Sequence, residues 1–165
     1  MTTPSPSRRR LNLAAGVLLG LGAVAFLDEV VFHQLLHWHH FYDKSTSDVG
    51  LVSDGVFHAF SWFATVAAAM LLFRLARDGA FSRMTFAAGW LTGAGFFQLY
   101  DGLVQHKVMG LHQIRYEVDL VPYDVVWNLV AGVLLAAGIA LWVITSRRVR
   151  PSDDDPRTAD TAPSG

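Results

Sequence analysis

The grouping of apolar residues constrains this chain more than any other feature of its sequence. They form four long stretches, and a helix that crosses the hydrocarbon core of a bilayer needs about 20 apolar residues. With 52% hydrophobic and 16% charged residues, the chain is too apolar for an ordinary soluble domain. We therefore predict an all-α, integral membrane four-helix bundle with spans at 11–36, 52–76, 84–109 and 123–146.

The polar segments between and beyond these stretches predict the domain organisation. Residues 1–10 are basic and rich in Pro and Ser, which predicts a disordered N-terminus, and 147–165 have the composition of a disordered tail. The helix-breaking segment "RDGAFSR" (77–83) separates the two middle stretches. We predict a first transmembrane hairpin over 11–76 and a second over 84–146.

The Lys and Arg residues predict the orientation of the bundle. Nine of them flank the side that carries both termini and the 77–83 loop, whereas three lie on the other side: Lys44 and Arg115 in the loops 37–51 and 110–122, and Lys107 at the end of the third stretch. Cytoplasmic loops are enriched in Lys and Arg. The termini and the 77–83 loop are therefore predicted to be cytoplasmic, and the other two loops extracytoplasmic.

Residues 14–39 recur at 87–112, a shift of 73 positions, so that "AAGVLLGLG" falls on "AAGWLTGAG". A weaker match relates the second and fourth stretches at a shift of 70. The repeat predicts two tandem copies of one hairpin in the same orientation, and it argues against removal of the first stretch as a signal peptide. The polar matches are Asp28 with Asp101, His33 with His106, His39 with His112, and Asp54 with Asp124.

Two glycine pairs predict which helices are packing partners. Gly16 and Gly20 are four residues apart in the first stretch, and Gly89 and Gly93 repeat this spacing in the third. Small residues at this spacing allow the backbones of membrane helices to approach closely. The first and third helices are therefore expected to pack against each other inside the bundle.

Acidic and histidine residues concentrate at the predicted extracytoplasmic ends of the helices. An Asp in mid-helix costs roughly 2.5–3.5 kcal/mol on insertion scales, and only Lys107 is near enough to compensate. A bound cation, or protons on the histidines, is the expected partner of these acids. The inner halves of the helices carry no acid or His that would continue an ion path. The predicted metal ligands or orienting residues are His33, His37, His58, His106, Asp28, Asp54, Asp101 and Asp124.

The types of donor atom limit which ion or cofactor these acids and histidines could bind. The chain has no Cys, which excludes thiolate metal sites and thiol catalysis, and nitrogen and oxygen donors suit Zn, Cu(II), Mn or Fe. One alternative is a haem with His33 and His106 as axial ligands. A second alternative is a structural scaffold without a cofactor, in which the acids and histidines pair with each other. The other loop histidines, His39, His40 and His112, are expected to be solvated, with only the repeated pair 39/112 as a candidate for more.

Two Asp–His pairs have a spacing that an ideal α-helix does not explain. Asp28 precedes His33 by five residues, and Asp101 precedes His106 by five. Five residues correspond to about 140° around an α-helix. Either the two side chains straddle the inward direction, or each helix contains a π-bulge, or the Asp orients the His instead of binding the ion.

The runs "FLDEVVFHQLLHWHH", "SDGVFHAFSW", "LYDGLVQH" and "YDVVWN" resemble a family of bacterial membrane proteins catalogued as domain of unknown function 2243. The resemblance covers about 11–146 and implies a four-helix integral protein of the bacterial plasma membrane; it carries no activity or cofactor. We expect extracytoplasmic metal handling, with the lipid bilayer as surroundings and another membrane protein complex as a partner. The net charge of −1 gives no case for nucleic-acid binding, and no pattern identifies an enzymatic reaction.

Overall fold

A computed structural model of the chain describes residues 5–147. Within this range the protein is entirely helical and contains no β-strand, which confirms the predicted all-α class. Two of the helices continue without a break into π-helical segments. The elements are α1 (Pro6–Asp28) with the first π segment (Glu29–Leu35), α2 (Ser47–Arg77), α3 (Arg83–Tyr100) with the second π segment (Asp101–Met109), and α4 (Leu120–Arg147).

Three of the four helices are long and apolar enough to cross a membrane, namely Pro6–Leu35, Ser47–Arg77 and Leu120–Arg147. The predicted third span, which corresponds to α3, is not among them. α3 packs against both α1 and α4, so much of its surface faces protein and does not need lipid-compatible side chains. This position explains how a central helix tolerates more Thr and Gln than α1 and α4.

The first helix begins earlier than predicted, so residues 6–10 are helical and do not form a disordered tail. Pro6 occupies the first turn, where its fixed φ suits a helix start. Arg9 then packs over the Trp142 ring at 5.0 Å and donates to Ser146 Oγ at 2.8 Å. The rest of the predicted termini, residues 1–4 and 148–165, lies outside the described residues.

The glycine pairs bring the backbones of α1 and α3 together, as predicted. A Cβ atom added at Gly16 would collide with the carbonyl oxygen of Phe86, and one added at Gly93 would collide with that of Val17. The closest backbone packing is therefore between α1 and α3, with α2 against α1 and α4 against α3. The arrangement places both π segments side by side at one end of the bundle, which we call the histidine end.

Two loops fold back over the histidine end and contact each other. The amide of Asp43, in the loop after the first π segment, donates to the Leu111 carbonyl at 3.1 Å. The His112 ring donates from Nδ1 to the Phe41 carbonyl at 2.9 Å. These contacts join parts of the chain about 70 residues apart and carry loop histidines into the protein.

Candidate metal centre

Both polar helix ends are π-helical, which resolves the five-residue spacing in favour of the π-bulge. A π-helix closes hydrogen bonds between residues five apart, so such residues lie on one face. Asp28 Oδ2 consequently lies 3.7 Å from His33 Nε2. Asp101 Oδ2 lies 3.1 Å from His106 Nε2. π-helical turns are rare overall, but those that occur are often found at functional sites. The two π segments therefore indicate a functional site at this end of the bundle.

Three buried side chains, Asp101, His106 and His112, direct their ligand atoms towards one point. His106 Nε2 and His112 Nε2 are 3.0 Å apart, and Asp101 Oδ1 is 3.7 Å from His112 Nε2. Zinc bonds His nitrogen and carboxylate oxygen at about 2.0–2.2 Å, which places two tetrahedral ligand atoms roughly 3.3–3.6 Å apart. The three distances of this second triad (Asp101, His106, His112), 3.0, 3.1 and 3.7 Å, lie just below and just above that range, so its donors are close to the spacing of a metal coordination shell.

The first triad consists of Asp28, His33 and His39, which are the residues related to the second triad by the shift of 73. One ligand atom from each lies within 4.8 Å of the other two. His33 is 1% exposed, and its Nε2 atom has no hydrogen-bond partner. Because a buried imidazole nitrogen is costly to leave unsatisfied, this atom indicates a ligand position.

Backbone carbonyls fix the tautomers of the two loop histidines. His39 Nδ1 donates to the Ile114 carbonyl at 3.0 Å, as His112 Nδ1 does to Phe41. A carbonyl only accepts, so each Nδ1 carries the proton and each Nε2 presents a lone pair. Burial lowers the pKa of His39 to about 2, and it lowers the pKa of His112 to about 4 although the Asp101 carboxylate opposes this shift. Both rings are therefore in the neutral form that binds metals.

Asp54 orients His33 from the opposite side of its ring. His33 Nδ1 donates to Asp54 Oδ1 at 3.1 Å, an arrangement typical of metal-ligating histidines. The same carboxylate accepts from the Phe41 amide at 2.7 Å and from His40 Nδ1 at 2.6 Å. Since both of its oxygens already accept hydrogen bonds, Asp54 is placed as an orienting residue and His33 Nε2 as the free donor.

The four buried histidines form one contiguous imidazole core (His33, His39, His106 and His112). The rings of His39 and His112 stack at 4.5 Å with an angle of 7° between their planes. His33 contacts both of these rings, with centroids at 4.5 and 6.1 Å, and His106 does so at 6.2 and 4.6 Å. The stacked His39 and His112 rings thus contact both His33 and His106, the two histidines that the sequence offers as axial haem ligands.

Four buried carboxylates surround the imidazole core without a basic partner. Within residues 5–147, no Lys or Arg forms an ion pair with any of them. Lys107 pairs with Asp124, and Arg115 lies over the Trp38 ring at 4.9 Å. A buried charge costs several kcal/mol unless it is compensated, so this acidic surrounding favours a bound cation. The four carboxylates are Asp28, Glu29, Asp54 and Asp101.

Three predicted site residues do not join the triads. His37 is exposed in the loop with a left-handed φ of 51°, because the chain reverses direction after the first π segment. His58 is exposed on α2 against the Phe26 ring at 5.6 Å. Asp124 is paired with Lys107. The structure therefore does not bring His37, His58 and Asp124 together with the two triads.

Two residues of the triads were expected to be solvated and are buried instead. His39 is 6% exposed and His112 is 2% exposed, because the two loops fold over the bundle. The only sequence signal for them was that they match each other in the repeat. A polar cavity of about 360 Å³ lies next to His39 on the loop side, and it is lined by His37, Trp38, His39, His40, Asp43 and Tyr116.

An all-helical bundle with three membrane-length apolar helices and a buried histidine–carboxylate cluster at one end defines a class of integral membrane protein. Residues 15–145 match the family described as "Predicted membrane protein (DUF2243)", and the chain belongs to this family. The match confirms the resemblance found in the sequence. No curated protein and no solved structure matches the chain.

Proposed function

We propose that the protein binds transition-metal ions at the extracytoplasmic end of a membrane bundle with four spans. The observation that carries the proposal is the second triad, in which His106 Nε2 lies 3.0 Å from His112 Nε2 and 3.1 Å from Asp101 Oδ2, and Asp101 Oδ1 lies 3.7 Å from His112 Nε2. Neutral imidazoles with fixed tautomers and uncompensated carboxylates support it. Nitrogen and oxygen donors in a chain without Cys favour Zn, Cu(II), Mn or Fe over Cu(I).

In this proposal the bundle consists of two tandem copies of one hairpin in the bacterial plasma membrane. Each copy contains a helix that ends in a π segment, a loop that returns a histidine, and a long second helix. α3 crosses the membrane as the most protein-surrounded of the four spans. The excess of Lys and Arg around the 77–83 loop and both termini supports cytoplasmic termini.

The cellular role that fits such a centre is metal handling on the outer side of the membrane. The triads contribute three protein ligands each, which leaves a coordination position for water or for a donor from a partner. Delivery of the metal to another membrane complex, or help in assembling that complex, stays a prediction. A scaffold without a cofactor is the second candidate, but it leaves His33 Nε2 buried without a hydrogen-bond partner among residues 5–147.

Metal analysis and a visible spectrum of the detergent-purified protein test the proposal. We expect a stoichiometric transition metal and no Soret band. The double variant His33→Ala/His106→Ala should lose the metal while it remains helical and monodisperse, and His58→Ala, at an exposed histidine, should retain it. A wild-type protein that binds no metal under any loading condition supports the scaffold and overturns the proposal.

A further inference from the structure

We infer that the centre holds two metal ions, one in each triad; this inference rests on the proposed function. The two triads have no residue in common, and each brings its own three donor atoms within 4.8 Å of one another. They are also related position by position through the shift of 73, so each half of the chain supplies one Asp and two His. The described residues contain a third candidate group, Glu29, His33 and Asp54, which shares His33 with the first triad and faces its other ring nitrogen, Nδ1. The two triads are the groups that the repeat relates to each other.

A single ion does not account for all six donors. Atoms bound to one ion lie at most about 4.2 Å apart, which is twice a bond length of about 2.1 Å. Between the triads, the ring centroids of His33 and His112 are 6.1 Å apart and those of His39 and His106 are 6.2 Å apart, compared with 4.5 and 4.6 Å within the triads. The His39 and His112 rings also lie 4.5 Å apart across the triads, but they stack face to face, so their in-plane lone pairs do not point at each other. Donor atoms converge within each triad, where ligand-to-ligand distances reach 3.0 Å.

The unpaired donor atom of His33 supports the first triad as a separate site. Its Nδ1 atom is held by Asp54, so Nε2 points towards Asp28, and among the described residues it has no hydrogen-bond partner. In the second triad, His106 Nε2 lies 3.0 Å from His112 Nε2 and 3.1 Å from Asp101 Oδ2, so these donors converge on a point of their own. An ion in the second triad would leave His33 Nε2 unsatisfied, whereas a second ion would occupy it.

The balance of buried charge also favours two ions. Four buried carboxylates face the core, and no Lys or Arg pairs with them in the described part of the chain. Two divalent cations neutralise four carboxylates, whereas one leaves half of the negative charge buried without compensation, which is costly in a medium of low dielectric constant. The first triad has three of the four carboxylates around it (Asp28, Glu29 and Asp54), so it should fill first.

The test is a titration of the full-length, chelator-stripped protein in lipid nanodiscs with Co²⁺, followed by its visible d–d absorption and by metal analysis. We expect two ions per chain in the wild type and in the control His58→Ala. Disruption of one triad, by His39→Ala or Asp28→Asn in the first and by His112→Ala or Asp101→Asn in the second, should leave one ion. The Asn variants keep the side-chain volume of Asp. If their circular dichroism and elution volume match those of the wild type, the loss of an ion does not arise from misfolding.

A second readout tests whether the ions are neighbours. The wild type loaded with Cu²⁺ should show dipolar coupling between two ions in its electron paramagnetic resonance spectrum, and each single-triad variant should show an isolated ion. One ion in the wild type, lost on disruption of either triad, would overturn the two-ion inference and leave the proposed function intact. Two ions without magnetic coupling would also overturn a shared centre, and no ion in any protein would overturn the proposed function itself.

Discussion

The two halves of the candidate centre carry the same triad in different surroundings. In the first half, Glu29 Oε2 lies 2.9 Å from His33 Nδ1, and Asp54 Oδ1 lies 3.1 Å from the same nitrogen. In the second half, Gly102 stands at the position that Glu29 occupies in the repeat, and a Cβ atom there would meet Asn128 Oδ1 at 2.7 Å. Donor identity is thus common to both halves, whereas the charge and the orientation of the donors differ.

The counterpart of Asp54 shows how the second half lost its orienting carboxylate. Asp124 matches Asp54 in the repeat, but it pairs with Lys107 at the partly exposed edge of the bundle. His106 Nδ1 is left without a hydrogen-bond partner. The comparison indicates a tightly held, strongly acidic first triad and a weaker second one.

The largest effect is expected where the two halves touch. Gly20→Ala should destabilise the protein by about 1–3 kcal/mol, because the new Cβ atom collides with the Trp90 backbone of α3. Gly132→Ala is the matched control in α4, where the new Cβ atom meets nothing within 4 Å and the higher helix propensity of Ala should be neutral or stabilising. Thermal unfolding in detergent measures both. Equal stability of the two variants would contradict the close α1–α3 contact.

The next effect separates the two orienting positions. Asp54→Asn should weaken metal binding by the first triad about 10–100-fold, because carboxylates that orient a metal-binding His typically contribute this much to affinity. Asp124→Asn should leave the affinity of both triads unchanged, since its carboxylate contacts Lys107 and not a triad histidine. Competition titration with a chromogenic chelator gives the affinities. A similar loss in both variants would show that the halves are not as different as their contacts indicate.

A smaller change should make the halves more alike. Glu29→Gly copies the residue found at Gly102 and removes one buried negative charge from the first triad. Its ion should bind on the order of tenfold less tightly, because one nearby charge contributes a few kcal/mol before desolvation is subtracted. Stepwise Co²⁺ titration should then show the two binding constants closer together. A wider separation would indicate that Glu29 does not act on the ion of the first triad.

The smallest effect concerns access, which also differs between the halves. The polar cavity of about 360 Å³ reaches His39 of the first triad and is lined by His37. His37→Ala should slow the uptake of Co²⁺ a few-fold in stopped-flow absorbance while the final stoichiometry stays the same. His58→Ala, at an exposed histidine outside the cavity, serves as the control. A lower stoichiometry in His37→Ala would show that His37 is itself a ligand.

Some of the candidate site could be predicted because it depends on local chemistry and on the repeat. Asp28, His33, Asp101 and His106 recur at one spacing in two copies, and the structure brings each pair together through a π segment. His58 was predicted from its four-residue spacing to Asp54, but spacing along one helix does not reveal which face the neighbouring helix covers. Its exposure on α2 depends on how α1 packs there.

The sequence by itself determined the helical class, the approximate extent of the apolar helices, and the glycine contact between α1 and α3. These are local properties, because an apolar run of membrane length and a small-residue pair specify their structure within one helix or one contact. Only the tertiary structure decided that His39 and His112 are buried donors and that His37 is not. Their positions depend on hydrogen bonds between two loops about 70 residues apart, and no spacing within either loop encodes such contacts.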